Sequence, residues 1–496
     1  MGPNPIDVIF PDMVEKPHSI YGLLENQSIN IIAGQRQMSE KRNPMGKHHS
    51  TPKRGCWSSR LGFIMASAGS AVGLGNIWKF PYITGMHGGG AFVLFFIFCI
   101  LLVGIPIMIA EMVIGRHTHK DPVGAFRKLR GGPWILVGWL GVTAGFVILS
   151  YYCVVAGWAV DYLWLAIKGT FSGKHVQEVP ELFTSLLASD RSQLFWQALF
   201  MGATVLIVLG GVSHGLERAN KLMMPVLFLI LIALALHGLF SPGGPQALDF
   251  LFTPDWRKLD AAAMLEAMGH AFFSLSLGMG AMLTYGSYAD EGTNIPNVAI
   301  TVSIMDTCVA LLAGIAIFPI VFTYGMAPAA GPGLVFKTLP VIFSQMPGGT
   351  FIAILFFLLL VFAALTSSIS LLEVVVAYYC DEKKWNRRTA TLTMGFLIFL
   401  LGVPSALSNH LLADVQFIGG RNFLDSLDLL ATNYILPLGG LFIALFTGWV
   451  MTTRLARAEI EKGSVNFHFY PVWHFLIKYV SPILLALLFL SKSGLL

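Results

Sequence analysis

Charge is scarce in this chain: 12% of its 496 residues are Asp, Glu, Lys or Arg, while 55% are hydrophobic. Soluble domains carry roughly 25% charge, so a solvated globular surface is excluded and a polytopic helical membrane protein remains. Cysteine is scarce too, at five residues with no CxxC pair. Cys99, Cys153 and Cys308 fall in apolar segments, where cysteine behaves as a small hydrophobe, so neither a disulfide framework nor a metal cluster is expected. There is no HExxH, which leaves a zinc-dependent intramembrane hydrolase without a motif. The net charge of +5 is read by its location beside apolar runs rather than as a basic patch, and nucleic acid is not implied. No apolar run precedes Arg60, so no cleavable signal peptide is expected.

What is present is a series of apolar runs separated by polar or Gly/Pro punctuation. Eleven spans are read at about 60–84, 90–115, 134–166, 193–212, 217–240, 261–289, 295–325, 349–380, 389–407, 424–452 and 470–491. Residues 1–55 lack apolar periodicity and are expected to be a disordered cytoplasmic tail, with Met38 or Met45 as alternative starts. The membrane core is read as 56–455, built from halves at about 57–240 and 261–455, and 456–496 as a cytoplasmic loop and the eleventh span. With the N-terminus inside, 17 Lys and Arg near the spans fall on the inner side against 8 outside, even without the five of the far tail. The outer connection from Gly325 to Gly348, with its apolar Leu334-Val-Phe, reads as a re-entrant cap.

Two spans are interrupted at membrane depth. Gly69-Ser-Ala-Val-Gly-Leu-Gly-Asn76, followed by Pro81, places three glycines and an amide in the first span. Ser274-Leu-Ser-Leu-Gly-Met-Gly280 does the same in the sixth, about 205 positions later. Broken helices are tolerated in lipid only where the freed carbonyls line a cavity or bind something, and paired breaks in two halves point to a midplane site. Glycines also permit close packing of unbroken helices, which is the plainer alternative. In the eighth span an apolar run ends in Thr366-Ser367-Ser368. Those hydroxyls either bond the preceding turn or offer oxygens to a hard cation. Glu111 and Glu373 would each cost ~2.5–3.5 kcal/mol at membrane depth if unpaired, so both should face the interior as hydrogen-bonding posts.

These residues, with Trp57-Ser-Ser-Arg60, Gly88-Gly-Gly-Ala-Phe92 and Gly104-Ile-Pro-Ile-Met-Ile-Ala-Glu111, resemble the neurotransmitter:sodium symporter family from about Trp57 to Val450. Ending after an eleventh span, without a long outer loop, resembles its bacterial members. The resemblance implies an all-α polytopic membrane protein with an inverted five-helix repeat of the LeuT type and discontinuous helices one and six. It implies two sodium ions. The first would be held by Ala71, Asn76, Ser274, Asp306 and the substrate carboxylate, and the second by Gly69, Val72, Ala363, Thr366 and Ser367. The substrate pocket would comprise Ala71, Gly75, Ile148, Tyr152, Phe273, Ser276, Met279, Ser367 and Leu371, with Tyr152 on the carboxylate. An inner gate is implied at Arg54 and Asp381 beside Trp57 and Tyr288, and an outer gate at Lys79 and Asp428, where Lys replaces the usual Arg and lacks its bidentate fork.

The resemblance also bears on chloride. Chloride-dependent relatives hold the anion with Tyr, Gln and two Ser; the matching positions here are Phe96, His270, Ser274 and Ala310, and Asp306 stands where many relatives have Asn. Asp306 is therefore expected to supply the charge that chloride would bring, making transport chloride-independent. The expected function is sodium-coupled import of a small hydrophobic or aromatic amino acid across the cell membrane by alternating access, without enzymatic activity. The alternative is a non-transporting amino-acid sensor on the same fold. The sequence does not address oligomeric state.

Overall fold

A backbone in lipid can satisfy its hydrogen bonds only within helices or closed barrels, and this chain takes the first course. The computed structural model describes residues 55–325, 333–463 and 467–495; Arg54 of the expected inner gate lies outside the described residues. The long helices are α1a (Arg60–Ala71), α1b (Gly75–Met86), α2 (Gly90–Thr118), α3 (Gly132–Ile167), α4 (Asp190–Leu209), α5 (Val212–Leu239), α6a (Ala261–Ser274), α6b (Ala281–Gly286), α7 (Ile295–Thr323), α8 (Gly349–Asp381), α9 (Arg387–Leu407), α10 (Phe423–Val450) and α11 (Tyr470–Lys492). Among the described residues nine of these are long and apolar enough to cross a membrane, and the bent pair α1a/α1b makes a tenth. The remaining expected span, α6a with α6b, is two helices too short to cross singly.

Side-chain caps start several of them. Ser59 accepts from Gly62 N at 3.0 Å, Asp260 from Ala263 N at 2.7 Å, Asn386 from Thr389 N at 2.7 Å and Asn422 from Asp425 N at 2.8 Å. The fourth helix ends at Leu209, earlier than its apolar pattern suggests, because Gly211 takes a left-handed φ of 78° and turns the chain into α5. The connection read as a re-entrant cap contains a short apolar helix, Leu334–Gln345; residues 326–332 lie outside the described residues.

Helices α3 and α8 lie along each other at the centre, and α1a packs against α5, α7 and α8. Both expected breaks are present. After Ala71, Val72 is extended (φ −73°, ψ 101°), the axis turns by 50° and α1b begins as a π turn over Gly75–Lys79. Pro81 follows in the first turn of the regular helix Phe80–Met86, where proline is tolerated. In the sixth helix residues 275–280 are non-helical, with Ser276, Gly278 and Gly280 at φ 54°, 75° and 74°. Glycine carries two of these three left-handed positions without a Cβ clash. Ser276 is held in its strained conformation by donating to Ser70 O at 2.7 Å, and Glu111 accepts from Gly278 N at 2.7 Å.

Candidate functional site

The break in α1 turns its last carbonyls toward α8. Ser367 Oγ lies 3.5 Å from Gly69 O, 3.2 Å from Ser70 O and 3.4 Å from Val72 O. Thr366 Oγ1 lies 3.3 Å from Val72 O, 3.0 Å from Ala363 O and 3.1 Å from Phe362 O. All five residues expected at the second sodium site are thus within reach of one another, and all are buried. Two hydroxyls carry two protons between them, yet five carbonyls surround them. Phe362 O and Ala363 O lie in the preceding turn of α8, where Thr366 back-bonds in the ordinary way, but the Gly69 and Val72 carbonyls stand at the break of α1, and such neutral oxygens gathered away from water suit a hard cation.

The other cluster lies between α1b, α6a and α7. Asn76 Nδ2 donates to Asp306 Oδ1 at 2.7 Å and to Ser274 Oγ at 3.0 Å, and Ser274 Oγ donates to Asp306 at 2.8 and 2.9 Å. Asn76 and Asp306 are fully buried. Asn76 Oδ1 is occupied in accepting from Gly73 N at 3.1 Å, so in this conformation the amide braces the break rather than facing outward with its oxygen. One turn before Ser274 on α6a, His270 is enclosed by the rings of Phe80 and Phe96 at 5.9 and 5.4 Å. Two of the positions that the resemblance matched to chloride ligands, Phe96 and His270, thus pack as rings against each other.

Between the two breaks is a cavity of about 30 Å³. Ala71, Gly75, Ile148, Tyr152, Phe273, Ser276, Met279, Ser367 and Leu371, the expected pocket residues, all line it, together with Asn76 and Ser274. That space suits one or two waters, so a bound solute must displace side chains. Above it is a vestibule of about 310 Å³ that shares Leu74, Gly75, Tyr152 and Phe273 with the cavity. Tyr152 and Phe273 are thus the partition, and the Tyr152 hydroxyl accepts from Leu74 N at 3.3 Å where the helix is broken.

The opposite end is sealed. Trp57 is 5% exposed, donates through Nε1 to Tyr285 O at 2.9 Å and packs edge-on against Tyr285 and Tyr288. Tyr288 donates to Glu373 at 2.7 Å, and Glu373 pairs with Arg387. Glu217 of α5 accepts from Ser58 N at 2.7 Å, Ser58 Oγ at 2.6 Å and Ser59 Oγ at 3.0 Å, and pairs with Lys221, fastening the start of α1a. Asp381 accepts from Asp121 N at 2.9 Å at the end of α8.

Lys79 and Asp428 both line the vestibule but do not form an ion pair. The Lys79 ammonium sits 5.5 Å from the centre of the Phe273 ring, and Asp428 accepts from Tyr151 at 3.0 Å. The Lys79 ammonium lacks the bidentate fork with which a guanidinium grips a carboxylate, and it makes a cation–π contact instead. Sequence reasoning passed over Ser70, Glu217 and Asn220. Ser70 is at the α1 break, bonded to Ser370 Oγ at 2.8 Å, and its position inside the glycine-rich run was the one signal available. Glu217 and Asn220 gave none, because each stands among ordinary helix residues.

The sequence profile of the sodium:neurotransmitter symporter family matches residues 54–181 and 184–493. The uncharacterized sodium-dependent transporter YhdH of Bacillus subtilis is 40% identical over 444 residues, covering 89% of this chain and 98% of that protein. A sodium-dependent transporter of Haemophilus influenzae is 35% identical, covering 89% and 98%. The crystal structure of MhsT in complex with L-phenylalanine superposes with a TM-score of 0.83 at 48% identity, over 88% of this chain and all of MhsT. The chain therefore belongs to the sodium:neurotransmitter symporter family and is a multi-pass, sodium-dependent membrane transporter, not an enzyme.

Proposed function

We propose that this transporter imports a hydrophobic or aromatic L-amino acid with two sodium ions by alternating access, with its N-terminus in the cytoplasm of a cell bounded by the membrane it spans. The observation that carries the reading is the gathering of the Gly69 and Val72 carbonyls, from the break of α1, around the Thr366 and Ser367 hydroxyls, a set of oxygens that suits a hard cation. The second ion rests there on Gly69, Val72, Ala363, Thr366 and Ser367. The first is held by Ala71, Asn76, Ser274 and Asp306, once the Asn76 amide turns its oxygen inward, and by the substrate carboxylate. Ion and substrate then share one charge-balanced site, so each raises the affinity of the other.

The substrate side chain lies among Ile148, Phe273, Met279 and Leu371, an apolar set that suits the L-phenylalanine held by MhsT. Tyr152 leaves Leu74 N for the carboxylate and closes the vestibule. The sealed end then opens as Trp57 and Tyr288 part, with Arg54 and Asp381 as its ionic gate; Lys79 and Asp428 approach each other when the outer side shuts. Asp306 balances the sodium charge without chloride and takes up a proton when the ions leave. Uptake of radiolabelled L-phenylalanine into proteoliposomes should require an inward sodium gradient. Equal uptake in potassium, or binding without uptake, overturns the proposal.

A further inference from the structure

Asn220 on α5 is fully buried, and its side-chain oxygen has no hydrogen-bond partner. Buried polar atoms are nearly always bonded, so an orphan calls for a ligand or a reason. The amide cannot be turned to hide it: Nδ2 donates to Leu216 O at 2.8 Å, and reversing the group would set two acceptors against each other. Oδ1 is thereby aimed at α1a. A side chain on Gly69 would collide with that oxygen and come 3.2 Å from Thr366 Cβ, so Asn220, Gly69 and Thr366 share one small space. Gly69 and Thr366 both belong to the oxygen cluster described above, whose donors come from α1 and α8 alone.

We infer that Asn220 Oδ1 is an additional oxygen ligand for the second sodium ion, donated by α5. The inference rests on the proposed second sodium site. It gives the ion contact with three helices, so that its presence ties α5 to the α1 break and to α8. A neutral amide oxygen fits this place, since a carboxylate would hold the ion more tightly and delay its departure. The bland reading of the same geometry is a packing post with Oδ1 against the Gly69 Cα hydrogens.

The test is equilibrium binding of radioactive sodium to the purified full-length protein. Asn220→Leu keeps the volume and removes the oxygen, and should raise about tenfold the sodium concentration for half-saturation of the binding component that Thr366→Ala also weakens, the loss expected for one charge-assisted contact. Asn220→Asp keeps the shape and adds charge, and should lower that concentration several-fold. Thr366→Ala is the control and should weaken sodium at least as much as Asn220→Leu. If Thr366→Ala weakens sodium while Asn220→Leu stays within twofold of the wild type, Asn220 is a packing post and the inference falls. If Thr366→Ala has no effect, the second sodium site itself is misassigned. Should Asn220→Leu fail to fold, Asn220→Asp decides alone: unchanged sodium binding overturns the inference.

Discussion

Thr366 Oγ1 has one proton and three carbonyls within 3.3 Å, which makes this hydroxyl the residue where the sodium reading is most exposed to test. Thr366→Ala should shift the sodium dependence of uptake by about tenfold or more while leaving the amount of folded protein little changed, since a contact to a charge is worth about 1.5–3 kcal/mol and a neutral one near 1. Sodium titration of uptake in proteoliposomes checks it; an unchanged curve removes Thr366 from the site. Met279 sets the other half of the site. It is 2% exposed and borders the cavity between two glycines, and its unbranched thioether can repack around different shapes. Met279→Phe fills that space with a rigid ring and should move the preferred competitor from Phe and Tyr toward Leu, Val and Ala. An unchanged ranking of competing amino acids counts against the pocket assignment. Both residues were legible in the sequence because hydroxyls after a long apolar run, and a side chain between two glycines in a span, break the local pattern. Asn220 and Glu217 were not, since nothing in a helix's own sequence says which neighbouring glycine its polar face will meet.

At the scale of elements, the helix Thr453–Glu461 between α10 and α11 is strapped to the end of α2. Arg116, whose side chain is fully buried, donates to Glu459 Oε1 at 2.8 Å and also to the carbonyls of Glu459 and Thr293; Lys462 lies 3.1 Å from Glu459. Burial works to raise the Glu459 carboxyl, but the hydrogen bonds and charges of Arg116 and Lys462 outweigh it and hold the group below its ordinary 4.5. A depressed carboxyl stabilises the fold fully above its unfolded value and loses that contribution as pH falls through the folded one. Glu459→Ala leaves a buried guanidinium without its counter-ion and should cost about 3 kcal/mol at pH 7. Thermal unfolding in detergent should show the gap to wild type narrowing as pH falls below 4.5 and closing only once it has passed the lowered value of the folded carboxyl. A gap that is constant with pH points to lost packing instead. The sequence marked this stretch only as a loop before the last span, because a nine-residue helix held by the ion pairs of one buried carboxylate leaves little imprint on hydropathy.

For the molecule as a whole the governing quantity is charge balance at membrane depth. On the proposed stoichiometry, two sodium ions and a zwitterion would leave an excess of two positive charges, which the buried Asp306 would reduce to one. Replacing chloride by gluconate should therefore leave uptake unchanged, and Asp306→Asn should abolish uptake in gluconate. Adding Phe96→Tyr, His270→Gln and Ala310→Ser to that variant should restore uptake in chloride only, because it adds a hydroxyl to the Phe96 ring, replaces the His270 ring with an amide and puts a hydroxyl at Ala310. A wild-type chloride requirement, or an Asp306→Asn carrier working normally in gluconate, sinks the assignment.

Composition alone determined the solvent: 12% charge cannot cover a soluble surface, and runs of this apolarity must be helices that close their own hydrogen bonds. Glycine placement marked where two of those helices break, since glycine weakens a helix and takes left-handed backbone at least cost, and the family follows from the motifs around the breaks. Tertiary packing alone decided what each break faces. The Val72 carbonyl meets the Thr366 hydroxyl across 294 residues of chain, Glu111 reaches Gly278 N across 167, and Lys79 turns to Phe273 while Asp428 takes Tyr151. Helical periodicity fixes which face of a segment is polar, but which polar face meets which is set by how whole helices pack, a sum over contacts too distant in sequence for any local pattern to hold.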